Sequence, residues 1–219
     1  VLSFNLFNEL FEDVMSLHTS RYFHIGGDET RQLGICPECA AKVAKEGKSK
    51  LFVDYMKEIC NLVIRHGKIP IMWADIILEH PEYIGELPKE TIFVDWNYGW
   101  SNRKFGDAEA LVKRGVKFWG APAIRSHPDN MHITTWEKHF DNQEVFIPYC
   151  RRQGYEGIVM TSWSTSGIFS TIWELDHEVV DMLPLRYVYP MNGFNLLIYM
   201  YGKALSQPEP IDAEKVVEE

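Results

Sequence analysis

The apolar residues of this chain follow two spacings, and each spacing predicts a different element. Helical spacing predicts helices in three stretches, at residues 4–17, 51–63 and 134–153. Short apolar runs between turn residues predict five strands, at residues 21–26, 69–73, 91–96, 116–120 and 157–163. Asp107 caps a further short helix before the fourth strand, and a mostly apolar tail follows the fifth.

Short strands that alternate with helices are typical of βα units, whose strands form a parallel sheet. No repeat, linker or change in composition divides the 219 residues. The sequence therefore predicts a single α/β domain over residues 1–219. The residues at the strand ends favour a (β/α) barrel over an open sheet, for reasons that follow below.

Composition narrows the class of protein and of partner. Hydrophobic residues make up 46% of the chain and the formal net charge is −9, which is typical of a globular protein and argues against a nucleic-acid partner. No apolar run approaches the ~18 residues of a membrane span, so no membrane partner is expected. Residues 1–20 lack a basic segment followed by an apolar run, so no signal peptide is visible and a cytoplasmic location is favoured.

Two of the four cysteines, Cys36 and Cys39, form a Cys-Pro-Glu-Cys pair. A zinc site would need a second pair at similar spacing, and a thioredoxin-like site would need the pair directly after a strand. Free thiols or a local clip of the loop are the favoured interpretation, although metal binding by the pair stays open. No metal site and no cofactor are expected.

The chemistry of a parallel α/β protein lies at the carboxyl ends of its strands. Four of the seven Trp stand at predicted strand ends, namely Trp73, Trp96, Trp119 and Trp163. One such Trp is usually a core or rim residue, but four around one barrel mouth predict an aromatic pocket. Flat apolar rings of this kind stack against the C–H face of a sugar.

Two adjacent carboxylates, Asp28 and Glu29, follow the first strand in the run His24-Ile25-Gly26-Gly27-Asp28-Glu29-Thr30. Neighbouring side chains in a strand point to opposite faces, but the glycine pair lets the backbone turn so that both carboxylates can face one site. Two nearby carboxylates are what glycoside hydrolysis requires. A solvated acidic loop is the alternative.

The run His-x-Gly-Gly-Asp-Glu at a strand end resembles the signature of glycoside hydrolase family 20, the β-N-acetylhexosaminidases. The resemblance implies that the 2-acetamido oxygen of the substrate attacks the anomeric carbon and forms an oxazolinium intermediate, an exception to the two-carboxylate scheme. It also implies that Glu29 acts first as the general acid and then as the base that activates water. Asp28 would orient the acetamido N–H. His24 would support the site from a buried position.

The same resemblance implies that Trp73, Trp96 and Trp163 wall the pocket for the acetamido methyl group and the pyranose ring. Asp75 shares a face with Trp73 in an extended chain, so it either binds a sugar hydroxyl or caps the next helix. The tyrosine that the family places after a later strand is absent here, and we expect Tyr98 to substitute for it. Ser164 and Thr165 follow Trp163 where many members have a glutamate, so the specificity is expected to differ.

In the family the Asp-Glu pair ends the fourth of eight strands, whereas here one helix precedes it. The sequence therefore predicts an incomplete (β/α)8 barrel of the TIM type with about five strands, and association of two copies across the open edge. The predicted function is an exo-acting glycoside hydrolase that removes terminal N-acetylglucosamine or N-acetylgalactosamine from glycans. The alternatives are a carbohydrate-binding or inactive module and a retaining glycosidase with Asp75 or Asp95 as nucleophile.

Overall fold

The structure, a computed structural model, describes residues 2–30, 32–126, 135–163 and 191–219. Its α-helices are α1 (Leu2–Ser16), α2 (Pro37–Glu46), α3 (Lys48–Arg65), α4 (Asp75–Glu79), α5 (Ala108–Val112), α6 (Trp136–Gln153), α7 (Met191–Ser206) and α8 (Ala213–Glu218). A 3-10 helix spans Pro81–Glu86. The strands are β1 (Tyr22–His24), β2 (Ile69–Trp73), β3 (Ile92–Trp96), β4 (Lys117–Ala121), β5 (Ala123–Arg125), β6 (Gly157–Ile158) and β7 (Thr161–Ser162).

Five strands form one sheet in the order β1-β2-β3-β4-β6, which is their order along the chain. β1 and β2 are parallel, with Phe23 opposite Pro70, and β2 and β3 are parallel, with Met72 opposite Phe93. β5 and β7 form a separate parallel pair. Parallel strands in chain order are the arrangement of a (β/α) barrel, so the predicted α/β fold with about five barrel strands is confirmed.

The strand predicted at residues 157–163 is two short strands, because the chain changes partner within it. The Val159 N–H donates to the Gly120 carbonyl at 2.9 Å, whereas the Thr161 N–H donates to the Pro122 carbonyl at 2.9 Å. Pro122 has no N–H to donate, and it separates β4 from β5, a strand that the sequence analysis missed. The predicted single strand is therefore wrong in this detail.

The chain packs as two compact units, of which the first contains Val1–Asp95 and Arg103–Trp119 and the second contains Trp96–Asn102 and Gly120–Glu219. In the first unit α3 contributes seven buried residues to the core, namely Phe52, Val53, Met56, Ile59, Cys60, Leu62 and Val63. In the second unit α6, α7 and α8 share a core of Ile147, Met200, Ala204, Ile211 and Val216. The single domain expected over residues 1–219 stays a prediction.

Two of the helices, α6 and α5, have residues at their ends whose type favours those positions. Thr135 is the N-cap of α6, and Gly154 ends the helix in the left-handed conformation with φ +80°. Asp107 caps α5 as predicted, since its carboxylate accepts the Ala110 N–H at 3.2 Å. None of the helices in the described ranges is both long and apolar enough to cross a membrane.

Candidate active site

The segment after β1 leaves the sheet through a sharp turn of the backbone. Trp73 still donates its N–H to the Gly26 carbonyl at 3.0 Å, so strand-like pairing continues to that residue. The chain then takes positive φ values at Gly26 (+73°), Gly27 (+98°) and Glu29 (+44°). Among the described residues, Glu29 is the one non-glycine residue with positive φ. Such a conformation costs a residue other than glycine about 1–2 kcal/mol. It persists where surrounding contacts hold it, often at functional sites.

Gly27 also packs closely against the side chains under the turn. A Cβ at this position would lie 3.0 Å from Met56 Cε of α3 and 3.4 Å from Met72 Cε of β2. The turn therefore rests directly on the core of the first unit. Beside it Asp28 lines a cavity of about 220 Å³, whose other walls include Tyr55 and Thr30.

A hydrogen bond from a distant part of the chain fixes the backbone of Glu29. The Glu29 N–H donates to Asp75 Oδ2 at 3.0 Å, across 46 positions of sequence. Asp75 is the first residue of α4 and only 4% of it is exposed. The preceding Ala74 donates its N–H to the Val94 carbonyl at 2.9 Å, which anchors the start of α4 to β3. Asp75 thus links Glu29 to the sheet.

His24 packs against Trp73, the last residue of β2, with ring centroids 4.7 Å apart. Its Nδ1 accepts the Gly26 N–H at 3.1 Å, so a neutral imidazole carries its proton on Nε2. Burial of the ring lowers the pKa of His24 to about 4, which leaves the imidazole neutral at pH 7. Trp73 and the Gly26 backbone cover part of the ring while the residue as a whole keeps an exposed surface, so the supporting role of His24 stays a prediction.

The second unit holds a cluster of four aromatic rings at the end of β3. Trp96 lies 5.2 Å from both Tyr98 and Trp100, and Tyr98 lies 6.2 Å from Trp163, measured between ring centroids. We call these four residues the aromatic cluster. Tyr98 is 6% exposed and Trp163 is 38% exposed, so Trp163 is the ring of the cluster that is most accessible to solvent.

Buried side-chain amides hold the loop that carries this aromatic cluster. Asn97 Oδ1 accepts the N–H groups of Gly99 at 2.9 Å and Trp100 at 3.2 Å, and Asn97 Nδ2 donates to the Trp100 carbonyl at 3.2 Å. From α6, Asn142 donates to the Asn97 carbonyl at 2.8 Å and accepts the Ala123 N–H at 3.0 Å. The segment after β3 and the start of β5 are therefore tied to one helix.

The four tryptophans that the sequence places at strand ends do not all belong to the same unit. Trp73 belongs to the first unit, and Trp96 and Trp163 belong to the second. Trp119 lies inside β4, two residues before its end, and packs edge-on against Tyr22 at 5.1 Å. It is therefore not a strand-end residue, because β4 extends to Ala121. Ser164 and Thr165 lie outside the described residues.

Sequence reasoning missed Trp100, Asn97 and the buried Arg125 that ends β5. Trp100 had a signal, because Trp96, Tyr98 and Trp100 recur at every second position. Within the described ranges, no group of three or more His, Cys, Asp or Glu side chains is arranged to hold a metal ion.

The chain is similar to known proteins in both sequence and fold. The chain is 23% identical over 112 residues to a beta-hexosaminidase of Emericella nidulans, a match that covers 46% of this chain and 18% of that protein. The fold is similar to a beta-N-acetylhexosaminidase from Bacteroides fragilis, with TM-score 0.53 and 18% identity over 93% of this chain and 42% of the other. It is equally similar to a chitobiase from Flavobacterium johnsoniae, with TM-score 0.53 and 18% identity over 98% of this chain and 36% of the other.

The chain thus spans less than half the length of each of these proteins. The model of the glycosyl hydrolase family 20 catalytic domain matches residues 2–166, which include the turn at Glu29, its anchor Asp75 and the aromatic cluster. On this match, the chain belongs to glycosyl hydrolase family 20.

Proposed function

We propose that this chain is the catalytic part of an exo-acting glycoside hydrolase that removes terminal N-acetylhexosamine from glycans. The observation that carries the proposal is the hydrogen bond between the Glu29 N–H and Asp75, which holds Glu29 in the left-handed conformation within the His-x-Gly-Gly-Asp-Glu run. The names of the beta-hexosaminidase relatives support the same activity.

In the proposed reaction Glu29 acts first as a general acid. Its carboxyl proton passes to the glycosidic oxygen as the bond to the anomeric carbon breaks and the alcohol departs. The 2-acetamido oxygen of the sugar attacks the same carbon, so the intermediate is an oxazolinium ion and no bond to the protein forms. Glu29, now a carboxylate, removes a proton from water, and the resulting attack on the anomeric carbon gives the free sugar with retained configuration.

Asp28 would orient the acetamido group and stabilise its positive charge. The adjacency of the two carboxylates suits this division, because Asp28 handles a neighbouring substituent and Glu29 handles the leaving oxygen. The glycine turn before Asp28 frees both residues from strict strand alternation. Asp28 and Glu29 are both exposed, so a substrate can reach them without displacing core residues.

Asp75 is better suited to positioning than to nucleophilic attack. The residue is 4% exposed, and one carboxylate oxygen already accepts the Glu29 N–H. A nucleophile must instead approach the anomeric carbon of a bound sugar. We therefore favour substrate assistance over a protein nucleophile at Asp75 or at Asp95, which is 5% exposed.

The aromatic side chains would bind the sugar. In the first unit Trp73 offers an indole already oriented by His24. The second unit offers an aromatic surface in which the ring of Tyr98 contacts those of Trp96 and Trp163. Stacked aromatic surfaces with a few polar groups are common in small-ligand sites.

The association of two copies expected from the sequence stays a prediction, which light scattering checks.

A pair of aryl glycosides tests the proposal. The wild-type chain should hydrolyse an aryl N-acetyl-β-glucosaminide and leave the matching β-glucoside, which lacks the acetamido group, essentially intact. Glu29→Gln should reduce kcat by about 10²–10⁴-fold, the usual contribution of general acid–base catalysis, while Glu58→Gln on the exposed side of α3 should not.

Two outcomes would contradict the proposed mechanism. Equal cleavage of both glycosides would exclude substrate assistance. Binding of a thiazoline mimic of the oxazolinium ion without any turnover would instead support the carbohydrate-binding alternative.

A further inference from the structure

The Cys-Pro-Glu-Cys motif lies at the N-terminus of α2, on the segment that follows Glu29 in sequence. Cys36 is the N-cap residue, Pro37 opens the helix and Cys39 lies in its first turn. We propose that Cys36 and Cys39 form a redox-active site, which a small-molecule disulfide oxidises to an intramolecular disulfide. Neither the hydrolase activity nor its residues require this chemistry.

The geometry brings the two sulfur atoms to the same side of the helix. Residues three apart in a helical turn are neighbours on its surface, and their spacing is near that of two cysteines joined by a disulfide. The Sγ of Cys36 accepts the Cys39 N–H at 3.3 Å, so the side chain of Cys36 already lies over the first turn. Closing the S–S bond therefore needs side-chain rotation and little backbone movement.

The two thiols differ in a way that assigns their roles. Hydrogen bonds from the Cys39 thiol and from the Cys39 N–H lower the pKa of Cys36. The same thiol contact raises the pKa of Cys39, which retains the shared proton. Cys36 is also exposed, whereas Cys39 is half-buried. Since the thiolate is the nucleophile in thiol–disulfide exchange, Cys36 attacks first and Cys39 resolves the intermediate.

The exchange is balanced in two steps. The Cys36 thiolate attacks one sulfur of the small disulfide, the S–S bond breaks, and one thiolate leaves and takes up a proton. Cys39 then loses its proton to water and attacks the Cys36 sulfur, which releases the second small thiol. The protein loses two hydrogen atoms, and the small disulfide is reduced to two thiols.

The two remaining cysteines are internal controls in the same chain. Cys60 and Cys150 are both 0% exposed. Burial raises the pKa of Cys60 to about 12, despite the hydrogen bond that its sulfur receives from Thr91. A folded chain should therefore react at Cys36 and Cys39 while Cys60 and Cys150 stay reduced.

Intact-mass spectrometry of the reduced chain after incubation with glutathione disulfide tests this proposal. The wild type should lose two hydrogen atoms and keep no glutathione, and peptide mapping should place the new bond between Cys36 and Cys39. Cys39→Ser should stop with one glutathione on Cys36. Cys36→Ser should react at Cys39 at least about tenfold more slowly, because Cys39 lacks the lowered pKa.

Circular dichroism should show that both serine variants keep the wild-type fold, so that rates compare folded proteins. The proposal is overturned if the wild type stays fully reduced, if it retains glutathione on both cysteines, or if it forms disulfides between chains. Equal rates for Cys36→Ser and Cys39→Ser would also overturn it. The readout is a mass, so its result is independent of any hydrolase activity.

Discussion

Replacing Asp75 tests how far the orientation of Glu29 depends on one hydrogen bond. A hydrogen bond to a charged group contributes about 1.5–3 kcal/mol, whereas a neutral one contributes about 0.5–1.5 kcal/mol. The left-handed backbone of Glu29 costs about 1–2 kcal/mol. The charged bond in the wild type outweighs this cost. A neutral acceptor in Asp75→Asn roughly balances it, and Asp75→Ala offers no acceptor at all.

These magnitudes predict a graded loss of activity. In Asp75→Ala the held conformation becomes unfavourable by about 1.5 kcal/mol, so roughly one molecule in ten keeps it and kcat falls about tenfold. Asp75→Asn should lose about twofold. KM should change little in either variant, since Glu29 acts on the transition state.

Kinetics on an aryl N-acetyl-β-glucosaminide measure the fall in kcat. Hydrogen exchange of the Glu29 amide measures the loss of its hydrogen bond. Faster exchange at Glu29 should accompany the fall in kcat. Unchanged exchange and unchanged kcat in Asp75→Ala would refute the positioning role. A higher KM at constant kcat would show instead that Asp75 binds a sugar hydroxyl.

Three further predictions concern stability, each measured by urea unfolding. Glu29→Gly should be more stable than Glu29→Ala by about 1 kcal/mol, because glycine accepts φ +44° without strain. Wild-type stability should fall as the pH decreases from 6.5 towards 4, because the unfolded chain protonates His24 while the fold holds its pKa near 4. His24→Asn, which keeps an acceptor for the Gly26 N–H, should reduce this dependence. Asn97→Ala should destabilise the chain by about 1–3 kcal/mol, because the part-buried N–H groups of Gly99 and Trp100 lose their acceptor.

Each of these predictions has a matched control. Equal stability of Glu29→Gly and Glu29→Ala would show that position 29 carries no conformational strain. An unchanged dependence on pH in His24→Asn would assign that dependence to another group. Asn195→Ala, on the exposed side of α7, should cost less than about 0.5 kcal/mol.

The pattern of apolar and polar residues predicted the elements that depend only on neighbours along the chain. β2 was predicted residue by residue, because its five residues are apolar and its three central residues are buried. β5 was missed because its pairing depends on β7, which is distant in sequence. α2 was missed because a cysteine is an unusual N-cap, although Pro37 was a valid signal for a first helical position.

In the candidate site, too, neighbouring residues predict some features, whereas a contact between distant residues was not predicted. The glycine turn and the two carboxylates could be predicted, because Gly26 and Gly27 are adjacent to them and glycine favours positive φ. The bond from Asp75 to Glu29 joins residues 46 positions apart, and no local pattern encodes such a contact. Asp75 was therefore proposed for sugar binding or helix capping, and its contact with Glu29 was not foreseen.

The aromatic cluster also makes the loop after β3 an optical reporter. Trp96 and Trp100 cross at 80° with centroids 5.2 Å apart, a separation at which indole transitions couple and give a signal in near-ultraviolet circular dichroism. Among the tryptophans of the described residues, Trp163, with 38% of its surface exposed, is the ring that a dissolved fluorescence quencher reaches most readily. Melting of the loop and protection of Trp163 by a ligand can therefore be followed separately in the unlabelled protein.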